Sequence, residues 1–394
     1  MPATSIVKSH LKSHRSLPAI AAFILALAGC GGGGGNAELP RYGGPAPDLN
    51  PGLPPYVSLS PDATADGWPT STPAAEGLDA QALTTVLDDL RRGSFPGVDS
   101  LLVARNQRLV AEGYFNGFGR DSIHDLRSTG KSFTAALTGI AVDQGLVSID
   151  DPIAQHIPGF ESHANMNDDK RAITLRHLLH MSSGLECNDW SPASPGNEER
   201  MYGTRDWISF VLDLRMIASP GRLSTYCTGG VVVLGHIVSL RSGMELDDYA
   251  QAWLFDPLGI EQSTWRRSPD GRATGGGGLR LRPRDAAKLG ALFANEGVWN
   301  GTRVVPESWV LATRARVTTL DSDGYGYLWW KRGFAHRGET LESSFTSGNG
   351  GNFIFTFPQL ELVVAFTGSN YNDPRSQSPF QIVPRVLAAV EDAD

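Results

Sequence analysis

The sequence predicts an α+β domain: an antiparallel β-sheet flanked by helices, with a mostly helical subdomain inserted at about residues 150–272. Three observations carry that expectation. An early β-hairpin pattern is followed directly by one long apolar helix. Residues from about Ile149 to Arg272 then show helical periodicity. Finally, β patterns follow one another with short breaks between residues 325 and 369. Consecutive strands joined by short turns pair antiparallel, whereas a parallel sheet alternates strand and helix throughout.

The N-terminus reads as an address rather than as structure. Lys8, Lys12 and Arg15 precede an apolar run from Leu17 to Ala28. Its length suits a signal-peptide core and is too short to span a bilayer. The run ends Leu27-Ala28-Gly29-Cys30, which looks like a bacterial lipobox with Cys30 as the lipidated residue. An ordinary secretory signal with an incidental Cys is the other reading. The expected organisation is a lipoprotein signal peptide at 1–29, a flexible Gly/Pro-rich tether at 30–73 and a folded domain at 74–394. This makes the chain an exported, periplasmic-side membrane lipoprotein, held to the membrane by an N-terminal lipid. Gly31 carries no inner-membrane retention signal, which favours the outer membrane.

Within the domain, "DAQALTTVLDDLRRG" (79–93) has an N-cap candidate, helical apolar spacing and a terminal Gly. "SLLVARNQRLVAEGYF" (100–115) reads as two strands about a polar tip. "TGKSFTAALTGIAVDQG" (129–145) is a buried helix closed by Gly145, so Ser128 falls at a helix N-terminus. "ITLRHLLHMS", "TRDWISFVLDLRM" and "GGVVVLGHIVSLRSG" are further helices, as is "RPRDAAKLGALFANEG" (283–297). "YGYLWWKRG", "TLESSFTSG", "NFIFTFP" and "LELVVAFTGS" are consecutive strands, with Pro358-Gln359 as a hairpin turn. Trp329-Trp330 should be one buried and one half-exposed strand residue. A terminal helix closes the chain in "QIVPRVLAAVEDA".

A net charge of −8 over 394 residues argues against nucleic-acid binding, which usually needs a basic face. With Cys30 lipidated, Cys187 and Cys227 remain as an even pair in an oxidising compartment. A disulfide and two buried free thiols both fit.

The chemistry concentrates in "RSTGKS" (127–132), which supports two incompatible readings. Gly130-Lys131-Ser132 resembles the end of a phosphate-binding loop, but the first Gly of that motif would fall on Asp125. A carboxylate there would oppose phosphate, and the preceding "NGFGRDSIHD" is polar rather than a buried strand. A nucleotide is therefore not expected. Ser128-Thr129-Gly130-Lys131 is instead S-x-x-K. Residues i and i+3 share a helix face, which brings the Lys131 amine to the Ser128 hydroxyl. A serine needs a base to become a nucleophile, and burial favours the neutral lysine amine that can be one. N–H groups at a helix N-terminus can stabilise an oxyanion. Taken alone, Ser128 and Lys131 would be ordinary helix-start residues. Tyr226, in "STYCTGG", offers a second proton carrier just before an apolar helix.

At these residues the chain resembles the serine β-lactamase/penicillin-binding-protein superfamily, in its class C-like, esterase and nylon-oligomer-hydrolase-like branch. "SLLVARNQRLVAEGYFNGF…HDLRSTGKS", "ITLRHLLHMSSGLECNDW", "SPGRLSTYCTGGVVVLG", "GGGGLRLRPRDAAKLGALFANEG" and "SGNGGNFIFTFPQLELVVAFTGSN" occur in that family's order. The resemblance covers most of residues 72–394 and implies the β-lactamase/transpeptidase fold. It implies Ser128 as acylated nucleophile, Lys131 as its base and Tyr226 as proton shuttle. The Ser128 and Asn349 amides would form the oxyanion site within Asn349-Gly350-Gly351, and Trp190 would line the substrate cleft. No metal or organic cofactor is implied.

Two departures bear on substrate. The family's Y-x-N is here Tyr226-Cys227-Thr228. The missing Asn normally touches substrate and lysine, and Thr228 offers a hydroxyl but no amide. The K-T-G of true β-lactamases is Asn349-Gly350-Gly351, without a cation. The expectation is a serine hydrolase that takes a small-molecule ester or small amide through an acyl-enzyme. The alternatives are a silent binder of cell-wall peptide on the same fold, and a true β-lactamase or D-Ala-D-Ala carboxypeptidase. No class A-type Glu motif is evident, so deacylation should not use a Glu-held water. His177 and His180 lack a third ligand and read as packing or capping residues. Gly275 to Gly278 read as a flexible or cleft-lining crossing.

Overall fold

A computed structural model describes residues 53–391. The expected signal peptide and Cys30 lie outside the described residues. Nine strands form the main sheet: β1 (Tyr56–Ser58), β2 (Val98–Arg105), β3 (Arg108–Tyr114), β4 (Thr318–Leu320), β5 (Asp323–Gly326), β6 (Trp329–His336), β7 (Glu339–Gly348), β8 (Asn352–Phe357) and β9 (Leu362–Gly368). Their spatial order is β1-β3-β2-β9-β8-β7-β6-β5-β4, with every neighbouring pair antiparallel. The hairpin near the N-terminus and the consecutive C-terminal strands thus join through β2 and β9.

Six helices organise the rest: α1 (Ala80–Arg91), α2 (Gly130–Asp143), α3 (Trp207–Leu212), α4 (Thr228–Ser242), α5 (Pro283–Ala294) and α6 (Pro379–Leu387). Asp79 caps α1 by accepting the N–H groups of Gln81 and Ala82. Helices α1 and α6 cover one sheet face through Leu83, Leu87, Ile382 and Val386, packed on a phenylalanine-rich layer. On the other face lie α5 and α2, and α2 continues the core into α4 and the helical region. That region carries Leu175–Leu179, Glu198–Tyr202 and Leu246–Ala250 as shorter helices. Alternation in β8 divides its side chains: Phe353, Phe355 and Phe357 face α6, and Ile354 faces α5.

The structure corrects one boundary. The stretch expected to stay flexible through Pro73 joins the fold well before it. Tyr56–Ser58 pairs with Tyr114, Gly113 and Glu112 of β3, and Trp68 is buried with its indole N–H on the Gln107 carbonyl. A three-residue edge strand borrows its stability from its partner, so Pro/Gly composition conceals it.

A three-stranded sheet outside the main one positions the motif. His124–Asp125 pairs with Leu279–Leu281, which also pairs with Thr264–Trp265. It holds the segment before Ser128 beside the chain that follows Gly275–Gly278.

Candidate active site

Ser128 lies in a single 3-10 turn, Arg127–Thr129, that runs directly into α2. The turn is sharp because Arg127 has φ of 52°. A left-handed conformation costs a non-glycine residue about 1–2 kcal/mol, so its surroundings must hold it. The Arg127 N–H donates to Asp125 Oδ1 at 3.0 Å, and its guanidinium pairs with Asp125 Oδ2 at 3.4 Å. The same guanidinium stands 4.5 Å above the Tyr371 ring. The Leu126 N–H binds the Leu279 carbonyl at 2.9 Å.

Lys131 is 1% exposed, and its Nζ donates to Ser128 Oγ at 2.9 Å and to the Gly276 carbonyl at 2.6 Å. It also sits 5.1 Å from the centre of the Tyr226 ring. A hydroxyl, a carbonyl and an aromatic face thus replace water around a buried amine. The Tyr226 hydroxyl hydrogen-bonds Ser128. Burial pushes the Tyr226 phenol above its ordinary value, while Lys131 and the Ser128 hydrogen bond pull it back. The three side chains expected from sequence therefore converge, with Oγ between the other two.

Tyr226 is fixed by packing. Trp190 stacks on it at 5.5 Å between centroids and 6° between planes. Trp330 stacks at 5.8 Å, and Tyr325 meets it edge-on at 6.5 Å. Trp190 remains 53% exposed, so it is an open aromatic face over Tyr226 rather than core, and it does not line the small cavity at Ser128. Cys187 and Cys227 are paired in a disulfide with Cα atoms 5.4 Å apart. It ties the loop carrying Trp190 to the residue after Tyr226. Thr228 is fully buried as the first residue of α4.

The third motif lies across the cleft. A Cβ on Gly348, at the end of β7, would stand 2.2 Å from the Leu126 carbonyl oxygen, so only glycine lets this strand approach the Ser128 turn. Thr129 Oγ1 bolts the two together through the Asn352 carbonyl at 2.8 Å. Asn349 lines the cleft, but its side chain is committed to Asn372, donating at 2.7 Å and accepting at 2.9 Å. Gly350 and Gly351, both with φ of 100°, turn the chain toward β8 and do not line the cleft. The cavity at Ser128 has about 90 Å³ and is lined by Arg127, Glu198, Glu199, Tyr202, Gly276, Asn349 and Asn372. Burial and the neighbouring Glu198 raise the Glu199 carboxyl, against the pull of Arg266 and Arg127. A larger cavity of about 530 Å³ lies between α5 and the sheet, away from this chemistry.

Sequence reasoning missed three members of the site. The Gly276 carbonyl that holds Lys131 has no side chain to signal it. The positive φ at Arg127 leaves no trace in composition. Asp189, inside "SGLECNDW", carries no period or motif of its own that marks it. Its N–H donates to the Tyr226 carbonyl at 2.9 Å, its Oδ2 accepts the Thr228 N–H at 2.6 Å, and its Oδ1 accepts the Glu198 N–H at 2.9 Å. Burial and then Glu198 push its carboxyl up to about 6, although Lys131 and Thr228 oppose them. His177 closes a capping box with Thr174, and His180 packs edge-on against Tyr327. Among the described residues no cluster of His, Cys, Asp or Glu could hold a metal ion, and no helix is long and apolar enough to cross a membrane.

A sequence model described as Beta-lactamase matches residues 80–381, a span that holds every catalytic candidate. The chain belongs to the beta-lactamase family. Within it, the chain is 27% identical over 299 residues to a 6-aminohexanoate-dimer hydrolase from Paenarthrobacter ureafaciens, covering 70% of this chain and 75% of that one. It is 29% identical over 144 residues to penicillin-binding protein 4 from Amycolatopsis lactamdurans, but spans only 36% of that protein. Two solved structures share the fold. A family VIII carboxylesterase superposes with a TM-score of 0.59 at 17% identity, covering 80% of this chain and 98% of the other. A class C beta lactamase from Rhodobacter sphaeroides gives 0.57 at 15% identity, covering 78% and 99%. This beta-lactamase-family chain is a hydrolytic enzyme of the serine hydrolase superfamily.

Proposed function

We propose that Ser128 is the nucleophile of an acyl-transfer cycle on a small ester or amide. The carrying observation is the short contact of Lys131 Nζ with Ser128 Oγ, with the Tyr226 hydroxyl on the same oxygen. Ser128 Oγ attacks the carbonyl carbon as its proton passes to the Lys131–Tyr226 pair. The tetrahedral oxyanion is stabilised by the Ser128 N–H at the start of α2 and by an amide just beyond Gly348, for which Asn349 is the candidate. Collapse breaks the bond to the alcohol or amine, which leaves with a proton returned through Tyr226. Water, activated by the same pair, then releases the acid and restores Ser128.

The substrate class follows from the rim. Asn349 stands where a β-lactamase would carry a lysine for the drug carboxylate, and on the rim Glu198 and Glu199 outnumber Arg127, which is paired with Asp125. An anionic β-lactam is repelled there, whereas a neutral ester or linear amide is not. The Paenarthrobacter relative is by name a hydrolase of an amide dimer, which agrees with this choice. The basic n-region and Leu27–Cys30 support export and lipid anchoring at Cys30.

A soluble form starting near residue 40 tests the reading with a short-chain nitrophenyl ester, 6-aminohexanoate dimer and a penicillin. The expected result is turnover of the ester or the amide, slow or no turnover of the penicillin, and a loss of at least ~10⁴-fold in Ser128→Ala. Equal rates in the wild type and Ser128→Ala would sink the nucleophile assignment. Rapid penicillin turnover would overturn the substrate class.

A further inference from the structure

We propose that Tyr371 is a positioning residue for the oxyanion site: its ring is a spacer that sets the distance between the Ser128 turn and the Asn349 segment. The proposal rests on the acyl-enzyme reading above and on the two oxyanion amides named there. Those amides come from separate parts of the fold, one from the turn before α2 and one from just past the end of β7. Both must stand close to a single developing charge, so their separation has to be held.

Tyr371 touches the neighbours of both. Over its face the Arg127 guanidinium, one residue before Ser128, stands 4.5 Å from the ring centre. Beside its edge is Gly350, one residue after Asn349. A Cβ on Gly350 would meet Tyr371 Cε1 at 2.8 Å and Cδ1 at 2.9 Å, so the ring takes the space a side chain there would need. The backbone that carries the ring is fixed as well. The Asn370 N–H donates to the Gly350 carbonyl at 3.0 Å, and the Asn370 side chain donates to the Pro96 carbonyl at 2.7 Å, just before β2. On the other side of the ring residue, the Asn372 N–H donates to Asn349 Oδ1, and Asn349 Nδ2 donates to Asn372 Oδ1. Tyr371 is thus anchored through both of its chain neighbours, and Asn349 is clasped to one of them.

The direction of the effect follows. Tyr371 does not line the cavity at Ser128, so it acts through its neighbours and not on the substrate. The left-handed turn at Arg127 keeps its shape only while its surroundings hold it, and the ring under its guanidinium is one of them. Without the ring, the Arg127 turn and the Gly350 segment lose their common spacer. The two amides then no longer meet the oxyanion together. That charge exists only at the tetrahedral stage, so the loss falls on kcat and leaves KM nearly unchanged.

The test compares Tyr371→Ala and Tyr371→Phe with the wild type on a short-chain nitrophenyl ester, with phenylboronic acid as a second probe. The boronic acid adds to Ser128 Oγ as a tetrahedral anion, so it needs the same amides as the transition state. Tyr371→Ala is expected to lose about 10- to 100-fold in kcat at nearly constant KM, with phenylboronic acid affinity falling in step. Tyr371→Phe keeps the ring and is expected to keep both near the wild type. Wild-type kcat in Tyr371→Ala overturns the proposal, as does a loss carried by KM alone or one that phenylboronic acid affinity does not follow. An equal loss in Tyr371→Phe also overturns it, because the hydroxyl and not the ring would then matter. Should Tyr371→Ala fail to melt cooperatively, Tyr371→Leu fills much of the space without a flat ring and carries the same comparison. A Ser128→Ala variant as active as the wild type would instead remove the acyl-enzyme reading itself.

Discussion

The sheet face under α1 and α6 is built of aromatic rings, whereas the opposite face, under α5 and α2, carries buried charge. On the first, Phe355 has ring centroids of Phe345, Phe353, Phe380 and Phe334 within 5.3 to 5.8 Å. On the second, Arg284 holds Glu112 through two bonds of 2.8 Å, and Lys288 holds Asp285 at 3.0 Å with both side chains fully buried. Lys131 belongs to this second region. The contrast separates two kinds of dependence. Aromatic packing stabilises the scaffold without fixing any single atom. Buried charges need named partners, and that requirement fixes Lys131 near Ser128.

The largest stability effects should fall equally on both faces but for different reasons. Phe355→Ala leaves a cavity and is expected to cost about 3–5 kcal/mol. Glu112→Gln removes the closer of two carboxylates on Arg284, which keeps Asp66 at 3.2 Å, and breaking that buried pair is expected to cost up to about 3–5 kcal/mol. Denaturant unfolding measures both. Phe355→Ala is expected to keep the wild-type kcat/KM per folded molecule; a ratio that falls with stability would show that the aromatic face also sets the geometry of the site.

Opening Cys187–Cys227 should cost less, roughly 2–4 kcal/mol for a span of 40 residues. Here the catalytic consequence should exceed the stability one, because the loop carries both Asp189 and Trp190. A Cys187→Ser/Cys227→Ser variant, assayed for ester turnover and melting, is expected to lose kcat while remaining folded at room temperature. Unchanged kcat would show that the aromatic stack needs no staple. The smallest effect is expected at Arg316, which pairs with Glu342 by bonds of 2.6 and 2.8 Å at the surface. Both side chains are more than a third exposed, so Arg316→Ala should change stability by less than about 1 kcal/mol. A larger loss would mean that charge matters on the scaffold as it does at the site.

Legibility in the sequence followed period and spacing. The helix expected from Thr129 to Gln144 is α2, Gly130–Asp143, and the hairpin expected at 100–115 is β2 with β3. Trp329 is buried and Trp330 partly so, as strand alternation requires. The Ser128–Lys131 contact was legible because i and i+3 must meet on a helix. Asp189 was not, because a loop has no period and its three bonds come from backbone distant in sequence. Trp68 and Tyr56–Ser58 were hidden for a related reason. Their order comes from β3 and Gln107, not from their own neighbourhood.

Turnover is expected to pass through a covalent acyl-enzyme at Ser128. Rapid acid quenching of a turnover mixture with a slow short-chain ester, followed by mass measurement of the active-site peptide, tests it most directly. The expected result is one added acyl mass on the peptide containing Ser128, decaying at the steady-state rate and absent in Ser128→Ala. An unmodified Ser128 peptide during turnover, or the acyl mass on Lys131 or Tyr226 instead, would contradict it.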